Sequence, residues 1–240
     1  MNSDCIVIFW VNKESSIPQL FVNSIRDLMS NNIDIIILTD KKTPEIKGVN
    51  NIFRYDLSEY IMLARLESYR NFKHSYERIL YADADSLMIS PIVFPKNNKK
   101  IYLTLRKYDG IINHKFPENY PEFKNKKMSE MMPFLFGAII TFDDQSNLFQ
   151  TLLDICEELP ERFKKWYGDQ VSLCKAVQNN KIIAGLMDQD IYLKVSRDKL
   201  THLEIENFIK YGTFIVTFKG KRSKDHLESS YSEIRKYYSI

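Results

Sequence analysis

The sequence has little cysteine, little net charge and no long apolar run, and each shortage excludes a class of protein. Its three cysteines in 240 residues are odd in number and widely spaced, at Cys5, Cys156 and Cys174. This pattern argues against a disulfide framework or a zinc site and indicates reduced thiols. The 34 basic and 31 acidic residues leave a net charge of +3, which does not indicate a nucleic-acid-binding surface. No apolar run approaches the roughly 20 residues of a membrane span.

The N-terminus lacks the features of a secretory signal peptide. Asp4 lies just before the apolar residues 5–11, and no basic segment precedes it. The chain also has no internal repeat and no low-complexity tract. A hydrophobic fraction of 44% over 240 residues is typical of a globular chain that folds around one full core. We therefore expect a cytoplasmic protein with a single domain, residues 1–240.

One segment joins an apolar strand to two carboxylates. Residues 79–82 predict a buried strand, and Asp83 and Asp85 follow it before a second apolar run. Along an extended chain these two side chains point the same way, and Ala84 between them adds no bulk. Burying two unpaired carboxylates is costly, and a divalent cation removes that cost. The pattern favours Mn²⁺ or Mg²⁺ bound by Asp83 and Asp85; the alternative is a strand end with two solvated aspartates.

The first forty residues predict a βαβ unit of a parallel sheet. Residues 5–11 and 33–38 indicate two strands, and the residues between them indicate an amphipathic helix. A nucleotide binds at the carboxyl ends of such strands. Val11, Asn12 and Asp40 lie at these ends and are candidates to line a nucleotide site. Ordinary loop polarity explains them equally well.

The aspartate segment also resembles a known motif. Tyr81-Ala82-Asp83-Ala84-Asp85-Ser86-Leu87 is similar to the Asp-x-Asp segment of GT-A glycosyltransferases, especially the family-8-like group of glycogenin and bacterial lipooligosaccharide galactosyltransferases. The resemblance implies a single α/β domain with a mostly parallel central sheet flanked by helices and a small second β region. We assign residues 181–185 and 190–195 as short strands of that second region. The resemblance further implies a nucleotide-binding half, residues 1–105, ending with the Asp-x-Asp strand, and an acceptor-binding half, residues 106–240. It also makes Asp83, Ala84 and Asp85 nucleotide-binding candidates.

Three further segments resemble elements of that group. Ala64-Arg65-Leu66 is similar to an element whose arginine lies near the nucleotide sugar, although a solvated helix arginine fits the pattern equally well. Residues 134–142 predict a strongly apolar strand with one glycine. Its Gly137 resembles the glycine of a strand that lines the donor sugar, and a simple β-bulge is its alternative. Asp169-Gln170 resembles an Asp-Gln motif that faces sugar and acceptor, although an acidic helix cap is also normal there. The resemblance makes Asp169 and Gln170 the catalytic candidates.

The last apolar strand runs into a basic turn. Residues 211–218 are followed by Lys219-Gly220-Lys221-Arg222-Ser223-Lys224, and a glycine with several cations suits a diphosphate. The segment resembles the group's terminal His-Phe-x-Gly-x-x-Lys element, which makes Gly220, Lys221 and Lys224 nucleotide-binding candidates.

Two departures from that terminal element concern the metal and the turn. Thr217 stands where the group has a metal-binding histidine, and Lys224 falls one position late. The metal is then left with Asp83 and Asp85, or it recruits His226.

Together the resemblances imply a metal-dependent glycosyltransferase. The implied reaction moves a hexose from a nucleotide diphosphate sugar, expected to be a UDP-sugar, to a glycan or lipid-linked acceptor in surface polysaccharide or lipopolysaccharide synthesis. Retention is expected, and in an inverting reaction Asp169 is the best candidate for the general base. We expect peripheral contact with the inner face of a membrane through the basic C-terminal region.

Two other functions stay open. Asp83 and Asp85 after an apolar strand also have the form used by haloacid-dehalogenase-type phosphatases, with Asp83 as nucleophile and Asp85 as acid. The histidine missing at Thr217 also makes a non-catalytic protein that binds nucleotide sugars conceivable.

Overall fold

The computed structural model describes residues 3–96, 98–108, 121–144, 146–220 and 224–240. The strands in this part of the chain are β1 (Asp4–Phe9), β2 (Asp34–Asp40), β3 (Asn51–Tyr55), β4 (Arg78–Asp83), β5 (Ser86–Met88), β6 (Ile101–Leu105), β7 (Phe134–Phe142), β8 (Gly185–Asp188), β9 (Lys194–Ser196) and β10 (Ile215–Phe218). The helices are α1 (Ser16–Met29), α2 (Ile61–Asn71), α3 (Met128–Met131), α4 (Ser146–Glu158), α5 (Glu161–Lys165), α6 (Gly168–Gln178), α7 (Gln189–Tyr192), α8 (His202–Lys210) and α9 (Leu227–Tyr238). A 3₁₀ turn spans Pro121–Phe123.

A seven-stranded sheet in the order β3-β2-β1-β4-β7-β6-β8 forms the centre of the described fold. The pairs β3–β2, β2–β1 and β1–β4 are parallel, and so is the pair β6–β8. Strand β7 is antiparallel to both of its neighbours, β4 and β6. The sheet is therefore mostly parallel, and the strand–helix–strand unit predicted from the first forty residues forms its β1–α1–β2 part.

Both faces of this sheet are buried. Along β1, Val7 lies in a core that it shares with apolar side chains of α2, α4 and α6. Its neighbours Ile6 and Ile8 point to the opposite face and lie in a second core with α1. Strand β7 is buried at every residue of Phe134–Phe142. Parallel sheets covered by helices on both faces have near-continuous apolar strands. The α/β fold class expected from the sequence is confirmed.

A second, smaller sheet has the order β5-β10-β9. Val216 of β10 and Ile234 of α9 share its own apolar core. The C-terminal helix α9 is also fastened to the body of the protein, because the Tyr231 hydroxyl donates a hydrogen bond of 2.6 Å to Asp27. Among the described residues, no helix combines the length and the apolarity needed to cross a membrane.

The structure differs from the sequence-based expectation mainly between residues 181 and 210. The sequence predicts strands over residues 181–185 and 190–195, whereas the structure has β8, the short helix α7 and β9 there. Asp188 caps α7 by accepting a hydrogen bond of 2.8 Å from the amide of Asp190. Helix α8 begins with a capping box, in which Thr201 accepts from the amide of Glu204 and the Glu204 carboxylate accepts from Thr201. The sequence-based expectation contains no helix here, although Thr201 and Glu204 have the spacing of a capping box.

Candidate active site

Acidic side chains lie at the edge of the central sheet where β1, β2 and β4 end. The parallel register aligns Phe9, Leu38 and Asp83 across these three strands. Asp83 is the last residue of β4, and Asp85 follows it just before β5. Sheets of this kind bind their ligands outside the carboxyl ends of the strands. The two aspartates therefore lie where the architecture offers a ligand site.

Asp83 is enclosed on three sides. Its Oδ1 accepts a hydrogen bond from the guanidinium of Arg65, and its Oδ2 accepts one from the ammonium of Lys219. Gly137 of β7 closes the third side. A Cβ at this position would overlap Oδ2 of Asp83 and lie 2.9 Å from Cδ2 of Leu193. The close approach of the carboxylate thus favours glycine at position 137.

Gly137 also lies in an irregular part of the β6–β7 pairing. Leu103 of β6 pairs with Ile139, but the next residue, Thr104, pairs with Leu135, so the register shifts and residues 136–138 are left out of the β6–β7 pairing. The Thr104 hydroxyl donates a hydrogen bond of 2.8 Å to the carbonyl of Ala138 in this segment. This irregularity lies where β7 meets Asp83, and a β-bulge of one extra residue would be a smaller interruption.

Asp85 is surrounded by groups from β10 and the turn after it. Its Oδ1 accepts a hydrogen bond of 3.0 Å from Lys219, and its Oδ2 lies 3.1 Å from Nζ of Lys224. The Thr217 hydroxyl lies 3.2 Å from the Asp85 carbonyl oxygen and 3.4 Å from Oδ1. The amide of Phe218 donates to the same carbonyl at 2.8 Å. The last strand therefore fixes the position of Asp85.

Arg65 connects Asp83 to the beginning of helix α6. Its NH2 donates to Asp83, and its NH1 donates to Oδ2 of Asp169 at 2.9 Å. The side chain of Arg65 is 12% exposed and that of Asp169 is 3% exposed. The guanidinium carbon also lies 4.7 Å from the ring centroid of Phe136, within cation–π range. Arg65 is thus the centre of a buried ion-pair network and not a solvated helix arginine.

Asp169 and Gln170 occupy the first turn of α6. Tyr167 precedes this turn with φ 69, in the left-handed region, and the Asp169 side chain accepts from the amide of Gln170 at 2.7 Å. The Gln170 side chain accepts a hydrogen bond of 3.0 Å from Arg106, whose Nε donates to the carbonyl of Met132 at 2.8 Å. These bonds hold both catalytic candidates in place.

Burial and charge shift the pKa values of the two buried aspartates in opposite directions. Burial acts to raise the pKa of Asp83, but Lys219 and Arg65 outweigh it and hold that pKa well below its usual range. Burial raises the pKa of Asp169, and Arg65 opposes this effect without cancelling it. Desolvation acts to lower the pKa of Lys219, yet Asp83 and Asp85 outweigh it and raise that pKa. Asp83 and Lys219 are therefore both charged at neutral pH.

Comparison with known proteins identifies the fold. No protein-family model matches the sequence, and no curated protein matches it either. Among solved structures, a glycosyltransferase involved in the glycosylation of the major capsid of PBCV-1 matches with a TM-score of 0.59 and 12% sequence identity, over 94% of this chain and 98% of its own. The bifunctional glycosyltransferase WbbM in its apo form matches with a TM-score of 0.59 and 14% identity, over 98% of this chain and 52% of its own. This is a glycosyltransferase fold.

The glycosyltransferase fold confirms the architecture implied by the resemblance of residues 81–87. The finer resemblance to the glycogenin group stays a prediction. The site does bring together candidates that are far apart in sequence, since Arg65 and Asp169 are separated by 104 positions. Arg65 pairs with Asp83 and Asp169, and Lys219 joins Asp83 to Asp85 in the same network. Gly137 and Lys224 contact this network.

The remaining nucleotide-binding candidates have varied surroundings. Asp40 accepts hydrogen bonds from the amides of Lys42 and Thr43 and from the Thr43 hydroxyl. Partial burial opposes the downward shift of the Asp40 pKa, but the bonds from Thr43 prevail. The amide of Asn12 donates to the same Thr43 hydroxyl oxygen at 3.2 Å, and Val11 packs against the core. These bonds give Asp40 and Asn12 partners within the protein, and a nucleotide contact stays a prediction.

Three candidates lie near the Asp-x-Asp segment or in the basic turn. Ala84 is buried at 6% exposure between the two aspartates. Gly220 has a positive φ of 95, a conformation that favours glycine, and no atom lies within 4 Å of a Cβ built there. Lys221 lies outside the described residues.

Two residues of the site are absent from the sequence-based candidates. Lys219 follows Thr217 by two positions, so on an extended strand the two side chains point the same way, toward Asp85. Arg106 comes directly after β6 and contacts Gln170. Their positions next to strand ends were the available signal, and their partners were not visible in the sequence.

A divalent cation does not fit this arrangement of charges. The ammonium of Lys219 donates to both Asp83 and Asp85, and so occupies the position that a shared ion would take. Within the described ranges, no group of three His, Cys, Asp or Glu side chains could hold a metal, so His226 does not complete a ligand set with the two aspartates. The Mn²⁺ or Mg²⁺ expected from the sequence stays a prediction.

Proposed function

We propose that this protein is a glycosyltransferase that takes a sugar from a nucleotide diphosphate donor. The observation that carries the proposal is the buried network of Asp83, Arg65 and Asp169 at the carboxyl edge of the sheet. Lys219 and Lys224 lie beside this network and supply the cations that a diphosphate requires. Groups suited to both parts of the donor thus meet at one site within a glycosyltransferase fold.

The proposed reaction breaks the bond between the anomeric carbon of the sugar and a β-phosphate oxygen, and the bonding electrons stay on that oxygen. The acceptor hydroxyl oxygen forms the new bond to the anomeric carbon, and its proton leaves to the departing diphosphate. Lys219 and Lys224 offset the negative charge that develops on the diphosphate. Asp169 and Gln170 orient the sugar and the acceptor. If the reaction inverts the anomeric centre, Asp169 accepts the proton instead.

The finer assignment rests on the sequence resemblance. It comprises a UDP-linked hexose as donor, a glycan or lipid-linked acceptor, retention of configuration and a role in surface polysaccharide or lipopolysaccharide synthesis. A position on the inner face of a membrane belongs to the same proposal. An assignment of the product's anomeric configuration by NMR would decide between retention and inversion.

The geometry favours transfer over phosphatase chemistry. A nucleophilic Asp83 would attack phosphorus with one carboxylate oxygen, and pairing with cations lowers the nucleophilicity of that oxygen. Both oxygens of Asp83 accept hydrogen bonds from cations, Oδ1 from Arg65 and Oδ2 from Lys219. The carboxylate is therefore arranged to hold cations in position.

Thermal unfolding with a panel of nucleotide sugars tests the proposal. A donor at about a hundred times its dissociation constant adds roughly 2.7 kcal/mol, which corresponds to a rise of about 5–11 °C for a chain of this size. The rise should disappear in Asp83→Asn/Asp85→Asn. A matched control is Asp143→Asn/Asp144→Asn, two exposed aspartates directly after β7, at the opposite edge of the sheet.

Two results would contradict the proposal. One is the absence of a rise with every donor, and the other is an equal rise in Asp83→Asn/Asp85→Asn. Donor binding with neither hydrolysis nor transfer to a broad panel of acceptors would instead support the non-catalytic function.

A further inference from the structure

Lys219 lies between the two aspartates of the Asp-x-Asp segment. Its ammonium donates to Oδ2 of Asp83 and, at 3.0 Å, to Oδ1 of Asp85. An ammonium has three N–H donors, so the two carboxylates leave one donor for a further acceptor. The Lys219 side chain is 42% exposed, whereas those of Asp83 and Asp85 are 15% and 13% exposed. Lys219 therefore faces the solvent side of the pair, where a bound diphosphate would arrive.

The charges of the site balance without a metal ion. Three carboxylates, those of Asp83, Asp85 and Asp169, form ion pairs with three cations, those of Arg65, Lys219 and Lys224. A divalent cation is attracted to carboxylates whose negative charge is not offset by the protein. Adding such an ion to the free protein would leave two positive charges in excess and would require Lys219 to move.

The backbone holds Lys219 at this position. Strand β10 pairs with β5, with Thr217 opposite Ser86, and the amide of Phe218 donates to the carbonyl of Asp85 at 2.8 Å. Lys219 is the next residue, so its side chain begins directly beside the aspartates. On the same side of the strand, the buried hydroxyl of Thr217 occupies the space next to Asp85. Both features place protein groups where a metal and its third ligand would otherwise lie.

We propose that Lys219 replaces the divalent cation of this site, so that Asp83 and Asp85 orient an ammonium which binds the donor's diphosphate without metal. The inference rests on the proposed glycosyltransferase function and specifies how that site holds its donor. Lys224, 3.1 Å from Oδ2 of Asp85, supplies a second cation to the same diphosphate. The departing oxygen receives a hydrogen bond and a positive charge from protein side chains throughout the reaction.

Manganese binding to the free protein gives a test that needs no donor. Electron paramagnetic resonance of Mn²⁺, titrated with the full chain, reports how much of the ion is bound. We expect the wild type to leave the signal of free Mn²⁺ unchanged. Lys219→Gln should bind one Mn²⁺, because Asp83 and Asp85 then lose their shared cation, and Lys219→Gln/Asp85→Asn should lose it again. Stoichiometric Mn²⁺ binding by the wild type, abolished in Asp83→Asn/Asp85→Asn, would overturn the proposal.

Donor binding in the presence of EDTA gives the second test. A UDP-sugar that raises the unfolding temperature of the wild type should do so equally in EDTA and in Mn²⁺. Loss of a hydrogen bond to a charged phosphate corresponds to a dissociation constant about 10- to 150-fold weaker, which we expect for Lys219→Gln. Lys100→Gln is the matched control. Lys100 lies just before β6 and forms an exposed ion pair with Asp143.

The two failures are distinguishable. A rise in unfolding temperature that requires Mn²⁺ would overturn the role of Lys219 and leave the glycosyltransferase proposal standing. If no nucleotide sugar binds in EDTA or in Mn²⁺, while Mn²⁺ binding follows the expected pattern, the proposed function fails, and the donor-binding role of Lys219 fails with it.

Discussion

Replacing Arg65 with methionine would test the buried ion-pair network. Arg65→Met keeps an unbranched side chain near the Phe136 ring, but it leaves Asp83 and Asp169 without the guanidinium that they share. Removing one partner of a buried ion pair costs about 3–5 kcal/mol, because the remaining charge is left uncompensated. For a chain of this size the unfolding temperature should fall by about 6–20 °C.

The destabilisation should shrink as the pH falls. Burial already raises the pKa of Asp169, and without Arg65 that pKa should rise further. The pKa of Asp83 should rise from its depressed value, because only Lys219 then opposes burial. A carboxyl with a higher pKa in the folded than in the unfolded protein stabilises the fold below the unfolded pKa, and this stabilisation is lost as the pH rises. Each such group changes the free energy of unfolding by at most about 1.4 kcal/mol per pH unit. The loss of unfolding free energy in Arg65→Met should therefore be smaller at about pH 5 than at about pH 7.5.

Urea unfolding at both pH values gives the measurement. Arg70→Met is the matched control, because Arg70 lies on the same helix and, within the described part of the chain, its bonds are of 3.2 and 3.3 Å to the neutral side chains of Asn71 and Gln150. Arg65→Met/Asp169→Asn should recover part of the loss, since it removes one uncompensated carboxylate. If Arg65→Met loses no more stability at neutral pH than Arg70→Met, the reasoning is refuted.

Further predictions concern the same site. Gly137→Ala should lower the free energy of unfolding by about 1–3 kcal/mol, because the added methyl group overlaps Oδ2 of Asp83 and approaches Leu193. A crystal structure of Gly137→Ala with the Asp83 side chain unmoved would contradict this. Asp83→Asn should have a lower free energy of unfolding than the wild type, and the difference should be largest above about pH 4 and shrink on acidification. The reason is that the depressed pKa of Asp83 stabilises the folded protein above the unfolded pKa, and this stabilisation is lost as the pH falls. A difference that stays constant in urea unfolding from about pH 5 to about pH 2.5 would argue against the depressed pKa. The donor-binding losses of Asp83→Asn/Asp85→Asn and Lys219→Gln, described above, complete the set.

Local sequence signals predicted the main elements of the fold. Apolar runs such as residues 5–11 and 134–142 correspond to β1 and β7, because strands buried on both faces need apolar side chains at successive positions. The helix that begins at Gly168, just before Asp169, was also predicted. Errors arose where elements are short, as in β8 and α7, since a few residues carry little periodicity.

The sequence by itself determined the class of fold and the position of Asp83 and Asp85 at the end of a buried strand. Both follow from hydrophobic patterns within a few residues of one another. Only the tertiary structure decided what surrounds the aspartates. Arg65 reaches Asp169 across 104 positions and Lys219 reaches Asp83 across 136, and no local pattern encodes such a meeting. The sheet brings these residues to one edge, and there the pairing of β10 with β5 places a lysine ammonium between the two carboxylates.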